Sequence, residues 1–194
     1  MAAAKSKVFV ITGPSGVGKG TLISRLRERL PELELSTSAT TRAPRKGEVN
    51  GVDYHFLPVE EFQRRVDAGE FLEHAAYSGN HYGTLLSEVE GRIENGHPVV
   101  LEIEIQGAEQ IRDTMPEAVQ LFITPPEPAL ETLMSRLAGR GTDSEEAVAS
   151  RMKVAQSELD ARHEFHHQVL NDDLDRATDE LESIVKRKLS ELPQ

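Results

Sequence analysis

The chain has 194 residues, of which 38% are hydrophobic, and this length suits one domain with a substantial core. Its formal net charge of −11 argues against general nucleic-acid binding, which needs Lys and Arg to neutralise phosphates, and the absence of cysteine excludes disulfides and thiolate metal sites. No stretch has the pattern of a signal peptide or a membrane span, so we expect a cytoplasmic protein with neither nucleic acid nor a membrane as partner.

The first predicted element is a short strand over residues 8–11, followed by a loop with three glycines and a helix that begins at Lys19. Glycines let successive backbone N–H groups turn toward one centre, and the helix N-terminus adds its dipole, so this order forms an anion cradle. Lys19 supplies a full positive charge to the outer phosphates. The pattern therefore predicts a nucleoside triphosphate site formed by Gly13, Pro14, Ser15, Gly16, Val17, Gly18, Lys19, Gly20 and Thr21.

The loop follows the P-loop pattern G-x-x-x-x-G-K-[ST] up to its last position, where Gly20 replaces the Ser or Thr that normally holds Mg²⁺. Because Mg²⁺ keeps much of its hydration shell, we expect it to be held mainly by phosphates and water. Thr21 and Glu102 are the two possible protein ligands. The dinucleotide fingerprint G-x-G-x-x-G does not fit, since Gly16 and Gly18 are followed by Thr21 rather than by glycine.

Beyond the loop, the hydrophobic pattern alternates between strands and helices. Strands are predicted at residues 33–38, 53–57, 99–105, 119–123 and 169–170. Helices are predicted at residues 59–67, 85–94, 108–115, 127–138 and 144–166, with a closing amphipathic helix marked by Leu174, Leu181, Ile184, Val185 and Leu189. Together with a P-loop, this alternation predicts an α/β fold in which helices cover both faces of a parallel sheet. The apolar run 99–105 is typical of a central strand, with the carboxylates of Glu102 and Glu104 at its carboxyl end.

A basic segment, residues 38–48, follows the second predicted strand. Arg42 and Arg45 lie three positions apart beside a rigid proline, and two guanidinium groups can hold a second phosphate bidentately. Taken alone, the segment fits a solvated basic loop better. Tyr54 and Glu73, further along the chain, can complete a pocket for a base and its monophosphate.

Taken together, these motifs resemble the guanylate kinase family, in the right order from about residue 8 to residue 190. The resemblance is carried by the P-loop and by the runs Thr-Thr-Arg-x-Pro-Arg-x-Gly-Glu-Val-Asn-Gly, Tyr-Gly-Thr, Glu-Ile-Glu-Ile-Gln-Gly-Ala, Arg-Leu-Ala-Gly-Arg-Gly-Thr and Val-Leu-Asn-Asp-Asp. It implies the reaction ATP + GMP ⇌ ADP + GDP with Mg²⁺ as cofactor, and dGMP as a further acceptor. It also implies a small mixed GMP-binding insert and a helical lid on the sheet core.

The resemblance also assigns binding roles to individual residues. It places the GMP phosphate among Arg42, Arg45, Tyr54 and Tyr82. It places guanine near Ser38, Glu73 and Thr84, with Glu102 and Glu104 as further residues of the GMP site and Asn171 in the ATP site. Many family members have Asp at the positions of Glu102 and Glu104, whose longer side chains can still reach guanine or water on the metal. Glu73 fits guanine, because a carboxylate can accept from N1–H and from the N2 amino group, whereas adenine has no N1–H.

Three arginines in or near the predicted helices 127–138 and 144–166 fit a lid over the triphosphate: Arg136, Arg140 and Arg151. Arg136 and Arg140 are i, i+4 apart, which puts them on one face of a continuous helix. Phosphoryl transfer needs positive charge around the migrating group more than it needs a base, and a closed lid excludes water. We therefore expect these arginines, Lys19 and Arg42 to be catalytic. The expected division is a core (1–37, 91–126 and 164–194), a GMP-binding region (38–90) and a lid (127–163).

Two other functions stay open at this point: a P-loop kinase for another small acceptor, and a guanylate-kinase-like module that binds proteins without catalysis. The P-loop and the lid arginines favour the enzyme, and the combination of Arg42, Arg45 and Glu73 favours GMP. Residues 163–167 satisfy the zinc-protease string H-E-x-x-H, but a catalytic zinc needs a third ligand and a cleft, so we expect ordinary helix-terminal histidines. The oligomeric state is left open.

Overall fold

The computed structural model describes residues 7–77, 79–138 and 145–191, and for residues 138 and 145–151 it describes the backbone only. The strands are β1 (Val8–Thr12), β2 (Glu34–Leu35), β3 (Ala39–Thr40), β4 (His55–Phe56), β5 (Phe71–Tyr77), β6 (Asn80–Leu85), β7 (Val99–Glu102), β8 (Val119–Thr124) and β9 (His167–Leu170). The helices are α1 (Lys19–Arg29), α2 (Val59–Asp67), α3 (Leu86–Glu94), α4 (Ile105–Thr114), α5 (Ala129–Ala138), α6 (Glu145–Asp160) and α7 (Leu174–Ser190).

The core of the described chain is a parallel sheet with the strand order β2-β7-β1-β8-β9. β1 lies at its centre, and all of its residues are buried. Phe9 belongs to one apolar cluster, with Leu181 of α7, whereas Val10 belongs to a second cluster, with Ile111 of α4. Because successive residues of a strand point to opposite faces, helices cover both sides of the sheet. The predicted α/β fold is confirmed.

A second sheet, with the order β4-β3-β6-β5, is inserted between β2 and β7 of the core. β3 pairs in parallel with β4 and antiparallel with β6, and β5 pairs antiparallel with β6, so the sheet is mixed. Phe62 of α2 packs with Ala39 and Leu85 in its small apolar core. A mixed insert was expected from the family resemblance, but the hydrophobic pattern did not predict β5 and β6 as strands.

Two predicted strands differ from the structure by more than two residues at one end. The predicted strand 99–105 ends at Glu102, where its pairing with β1 ends at Ile11, and α4 begins at Ile105. Glu104 therefore occupies the N-cap position of α4 and does not belong to the strand. The predicted strand 33–38 was also wrong as one element. Within it only Glu34–Leu35 (β2) pairs in the core sheet, and β3 begins at Ala39, after the predicted strand, where the chain has entered the second sheet.

The long predicted helix 144–166 is shorter in the structure. α6 ends at Asp160, and a 3₁₀ turn, Ala161–Glu164, follows it. Phe165 then packs against Phe122, with a distance of 5.2 Å between the ring centroids, and this contact leads the chain into β9. Among the helices that the structure describes, none is long and apolar enough to span a membrane.

Candidate active site

The loop between β1 and α1 is fixed by glycines and by a buried lysine. Gly13 and Gly18 have φ values of 145° and 101°, which residues with a side chain rarely adopt. A Cβ at Gly13 would also lie 2.5 Å from the Ile123 carbonyl oxygen. Lys19 is only 8% exposed, and its Nζ donates to the Gly13 carbonyl. The loop therefore holds a buried ammonium at the N-terminus of a helix, an arrangement that suits phosphate.

Two residues from distant parts of the chain hold the same loop. Asn171, which follows β9, donates from Nδ2 to the Val17 carbonyl at 2.7 Å. Arg136 of α5 donates from Nη1 to the Val17 carbonyl at 3.0 Å and from Nη2 to the Asn171 carbonyl at 2.9 Å. A Cβ at Gly18 would lie 2.6 Å from Asn171 Nδ2, so glycine leaves the room that this contact needs. The structure thus brings Gly18, Arg136 and Asn171 together at the P-loop.

A cavity of about 260 Å³ lies between this loop and the second sheet. Ser15 and Lys19 of the P-loop line it. It is also lined by residues predicted for the acceptor site, namely Ser38, Arg42, Arg45, Tyr54, Glu73, Tyr82, Glu102 and Glu104. A larger groove of about 600 Å³, between the start of α5 and the 3₁₀ turn, contains none of these residues. The predicted donor and acceptor groups therefore share one cavity.

A bidentate ion pair organises the basic segment beside this cavity. Arg42 donates from Nη1 to Glu48 Oε2 at 3.0 Å and from Nη2 to Glu48 Oε1 at 2.8 Å. Its guanidinium carbon lies 5.3 Å from the centroid of the Tyr54 ring. The hydrogen bonds from Arg42, and after them one from the Arg45 N–H, lower the pKa of Glu48. The sequence analysis missed Glu48, although the motif that carries both arginines contains it, and this carboxylate holds the Arg42 fork at the cavity wall.

Glu73 is the most deeply buried carboxyl group that lines the cavity, at 3% exposure. Its Oε1 accepts a hydrogen bond of 2.7 Å from Thr84 Oγ1, and Thr84 lies behind Glu73 rather than in the cavity lining. Burial raises the pKa of Glu73 to about 7; the bonds from Thr84 oppose this shift, and the charge of Glu104 adds to it. Two hydrogen-bond donors from a ligand would favour the ionised form of this group.

A further buried carboxyl group, Glu158 of α6, was not predicted for the site. Burial and then the charge of Glu104 raise the pKa of Glu158, whereas the ammonium of Lys19 lowers it. Among the described residues, Oε2 of Glu104 and Oε2 of Glu158 have no hydrogen-bond partner. Two carboxyl groups therefore lie together close to Lys19. The sequence carries no signal for Glu158, because a single glutamate in a polar helix has the pattern of a solvent-exposed charge.

The position of a metal ion can be judged from Gly20 and its surroundings. A Cβ at Gly20 would lie 3.7 Å from both carboxylate oxygens of Glu102, so Glu102 faces the place where a P-loop hydroxyl would stand. Thr21 is exposed and does not line the cavity. A cation surrounded by phosphates and water fits this arrangement, with Glu102 as the carboxylate that faces residue 20.

Not every predicted residue is placed by the structure. Arg140 lies outside the described residues, and for Arg151 only the backbone in α6 is described. The members of the H-E-x-x-H string do not converge, since Glu164 pairs with Arg112 at 2.9 Å and His167 lies on β9. Within the described ranges, no group of three or more histidine, aspartate or glutamate side chains is arranged to hold a metal ion.

The chain is similar to known proteins over nearly its whole length. A family model described as Guanylate kinase matches residues 5–188. A protein named Guanylate kinase from Synechococcus sp. (strain CC9311) is 52% identical over 181 residues, which are 93% of this chain and 94% of that protein. A protein of the same name from Rubrobacter xylanophilus is 50% identical over 183 residues, which are 94% of this chain and 95% of that protein.

Solved structures show the same similarity. The crystal structure of guanylate kinase from Anaplasma phagocytophilum superimposes with a TM-score of 0.77 and 30% sequence identity, covering 96% of this chain and 88% of that chain. A gluconokinase from Sinorhizobium meliloti 1021 gives a TM-score of 0.51 at 16% identity, over 97% of this chain and 96% of that chain. The second similarity concerns the fold alone.

Proposed function

This chain belongs to the guanylate kinase family and is an ATP:GMP phosphotransferase, and we propose that the cavity between its P-loop and its second sheet is where the phosphoryl group passes from ATP to GMP. The observation that carries this proposal is that Lys19, Arg42 and Glu73 line one cavity. Each of them suits a different part of the reaction: the triphosphate, the acceptor phosphate and the acceptor base. Their convergence matches the requirements of a kinase for a nucleoside monophosphate.

The donor side of the site is the loop 13–21. The N-terminus of α1 and the buried ammonium of Lys19 bind the phosphates of ATP and stabilise the charge on the γ-phosphoryl group as it moves. Asn171 and Arg136 both donate to the Val17 carbonyl, so they keep the loop in its phosphate-binding shape. Arg136 therefore acts on catalysis by holding the loop, in addition to its positive charge.

The acceptor side is built on the second sheet. Arg42 and Arg45, with the tyrosines Tyr54 and Tyr82, hold the phosphate of GMP, and the Arg42 fork is oriented by Glu48 before GMP arrives. Guanine lies near Ser38 and Glu73, and Glu102 and Glu104 line the same cavity, while Thr84 holds Glu73 from behind. The ionised carboxylate of Glu73 accepts from N1–H and from the N2 amino group of guanine. An adenine base would leave this buried carboxylate poorly paired, which costs binding energy.

The chemical step requires alignment and positive charge. An oxygen of the GMP phosphate attacks the γ-phosphorus of ATP, a new P–O bond forms, and the bond to the leaving ADP oxygen breaks in line with it. Lys19 and Arg42 both line the cavity, so two cations are available to the migrating group. Arg140 and Arg151 of the expected lid add further positive charge and exclude water.

Guanylate kinases generally need Mg²⁺, and the residues around Gly20 fit a cation held mainly by phosphates and water. Glu102 is the carboxylate that faces this place, so we assign it the role of orienting water on the metal. When bound, Mg²⁺ neutralises charge on the phosphate oxygens. Thr21 is exposed in the first turn of α1, and this makes it the weaker candidate for a ligand.

The proposal is tested by supplying ATP and Mg²⁺ with GMP, AMP or dTMP in parallel and measuring the ADP and nucleoside diphosphate formed. Of the three acceptors, we expect rapid turnover only with GMP. Lys19→Ala should lower the rate by on the order of 10² or more without loss of fold, because a preorganised charge at the transferring group is removed. Lys186→Ala, on the exposed side of α7, is the matched control. Equal turnover with AMP would contradict the acceptor site, and near-normal turnover of a folded Lys19→Ala variant would contradict the donor site.

A further inference from the structure

The helix α4 holds the strand that carries Glu73. Gln110 Oε1 accepts from the His74 N–H at 3.1 Å, and Gln110 Nε2 donates to the His74 carbonyl at 2.7 Å. The same Nε2 donates to the Gln106 carbonyl at 3.1 Å, which orients the amide on its own helix. β5 is an edge strand, and its register with β6 shifts between Phe71 and Glu73. Gln110 therefore supplies, next to this irregularity, the pair of hydrogen bonds that a neighbouring strand would give.

Gly107 lies one turn earlier on α4 and contacts the carboxylate of Glu73. A Cβ at Gly107 would lie 2.3 Å from Glu73 Oε2 and 3.0 Å from Glu73 Cδ. The φ of Gly107 is not in the left-handed range, so the helix backbone itself does not require glycine. Glycine in a helix interior is less stable than alanine. The space that the missing methyl group leaves is the space that the Glu73 carboxylate occupies.

We propose that Gly107 and Gln110 are positioning residues for base recognition, because together they place the Glu73 carboxylate where it accepts both donors on the edge of guanine. The inference rests on the proposed function, in which Glu73 binds the base. Thr84 of β6 holds Oε1, Gly107 of α4 borders Oε2, and Gln110 holds the backbone of the next residue. Two parallel hydrogen bonds need both oxygens in fixed positions, and these contacts provide them.

The inference concerns which purine nucleotide is accepted. Inosine monophosphate has the N1–H of guanine but no N2 amino group, so it needs only one of the two carboxylate contacts. A carboxylate displaced by a methyl group at position 107 can turn to keep one hydrogen bond, but it cannot keep two. Selectivity for GMP over inosine monophosphate is then set by α4, a helix of the core, as well as by the second sheet.

The experiment measures kcat/KM for GMP and for inosine monophosphate in Gly107→Ala and Gln110→Ala. We expect kcat/KM for GMP to fall about tenfold or more, as for a lost charged hydrogen bond. The ratio of kcat/KM for GMP to kcat/KM for inosine monophosphate should decrease. The KM for ATP should stay the same, and the Tm of Gly107→Ala should not fall, since alanine favours helix. Gly91→Ala in α3 is the matched control, because a Cβ there meets no atom within 4 Å.

A double-mutant cycle shows whether Gly107 acts through Glu73. In a Glu73→Ala background, Gly107→Ala should change neither kcat/KM, whereas an additive loss would overturn the inference. An unchanged ratio of kcat/KM for GMP to kcat/KM for inosine monophosphate in Gly107→Ala and Gln110→Ala would also overturn the inference. If the same ratio decreases in Glu73→Gln, the proposed function still stands. If Glu73→Gln keeps the wild-type ratio, Glu73 does not read the base, and both the proposed base site and this inference are overturned.

Discussion

Glu73 and Thr84 are register partners on β5 and β6, and the Thr84 hydroxyl donates to Glu73 Oε1 at 2.7 Å where both side chains are buried. A hydroxyl has one proton to donate, so it stabilises one carboxylate oxygen and leaves the second for another partner. Burial outweighs this bond and raises the pKa of Glu73 to about 7. The acceptor that we assign to guanine therefore changes its charge close to neutral pH.

The first prediction is that kcat/KM for GMP falls as the pH drops below about 7, the pKa of Glu73. A protonated carboxyl group presents a donor to the donor edge of guanine, so only the ionised fraction of the enzyme binds well, and this fraction shrinks about tenfold per pH unit below the pKa. The measurement is kcat/KM for GMP as a function of pH in the wild type and in Glu73→Gln.

Glu73→Gln also serves as the correction for ionisation of the GMP phosphate, which occurs near pH 6, as for phosphate monoesters in general. At pH 8 its kcat/KM for GMP should fall by an amount that corresponds to a loss of roughly 2–4 kcal/mol in transition-state stabilisation, because a charged hydrogen bond is lost and a buried donor is left unpaired. Its kcat/KM for AMP should change little. A wild-type pH profile with the same shape as that of Glu73→Gln would contradict the role of Glu73.

The second prediction separates the two arginines of the basic segment. Arg42→Ala and Arg45→Ala should each raise the KM for GMP far more than the KM for ATP, since both line the acceptor side of the cavity. Only Arg42→Ala should lower the free energy of unfolding, by about 1 kcal/mol, because the side chain of Arg42 is held bidentately by Glu48 whereas Arg45 contacts Glu48 through its backbone N–H. Arg64→Ala, on the exposed side of α2, is the control for loss of an arginine. Equal increases in both KM values would place the arginines outside the acceptor site.

The donor half of the site could be predicted because its signals are local. The strand β1, the glycines and Lys19 follow one another within twelve residues of sequence, from Val8 to Lys19, and each constrains the next. The need for glycine at position 13 comes from Ile123, but the φ of that glycine is a local property that the P-loop pattern already records. Such local patterns can be recognised in the sequence without knowledge of the rest of the fold.

The acceptor wall could be predicted only in part, because it depends on distant contacts. β5 is an edge strand with a register shift, and its most buried residue is the charged Glu73, so the alternation of hydrophobic and polar residues that predicts a strand is missing. Glu158 comes from α6, more than one hundred residues after the loop. Gly107 contacts Glu73 although Gly107 lies on a helix of the core and Glu73 lies on a strand of the second sheet. Such neighbours are set by packing, which a hydrophobic pattern does not encode.

The third prediction concerns the metal. Gly20→Ser should lower the Mg²⁺ concentration needed for half-maximal rate by about threefold, a change of less than 1 kcal/mol that suits one added neutral contact. A Cβ at this position meets Glu102 at 3.7 Å, an ordinary contact distance, so the side chain fits. Gly20→Ala is the control, since it adds the same Cβ without a hydroxyl. The same Mg²⁺ requirement in both variants would mean that the metal does not lie beside residue 20.

The fourth prediction uses the buried Glu158 to test the packing of α6 against the loop. Burial and the charge of Glu104 raise the pKa of Glu158 despite the opposing charge of Lys19 and a hydrogen bond from the Ser15 backbone. Between the ordinary glutamate pKa and this raised value, the folded state binds more protons than the unfolded state, so the free energy of unfolding falls as the pH rises through that window.

Glu158→Gln removes this ionisation, so it should raise the Tm at pH 8 relative to the wild type and change it little at pH 5. The difference between the two pH values should be a few degrees, because 1 kcal/mol shifts the Tm of a chain of this size by about 2–4 °C. Thermal unfolding followed by circular dichroism at both pH values measures it, with Glu180→Gln on the exposed side of α7 as the control. A Tm of Glu158→Gln that is lower than that of the wild type at pH 8 would show that the attraction of Lys19 for the Glu158 carboxylate outweighs the cost of its burial.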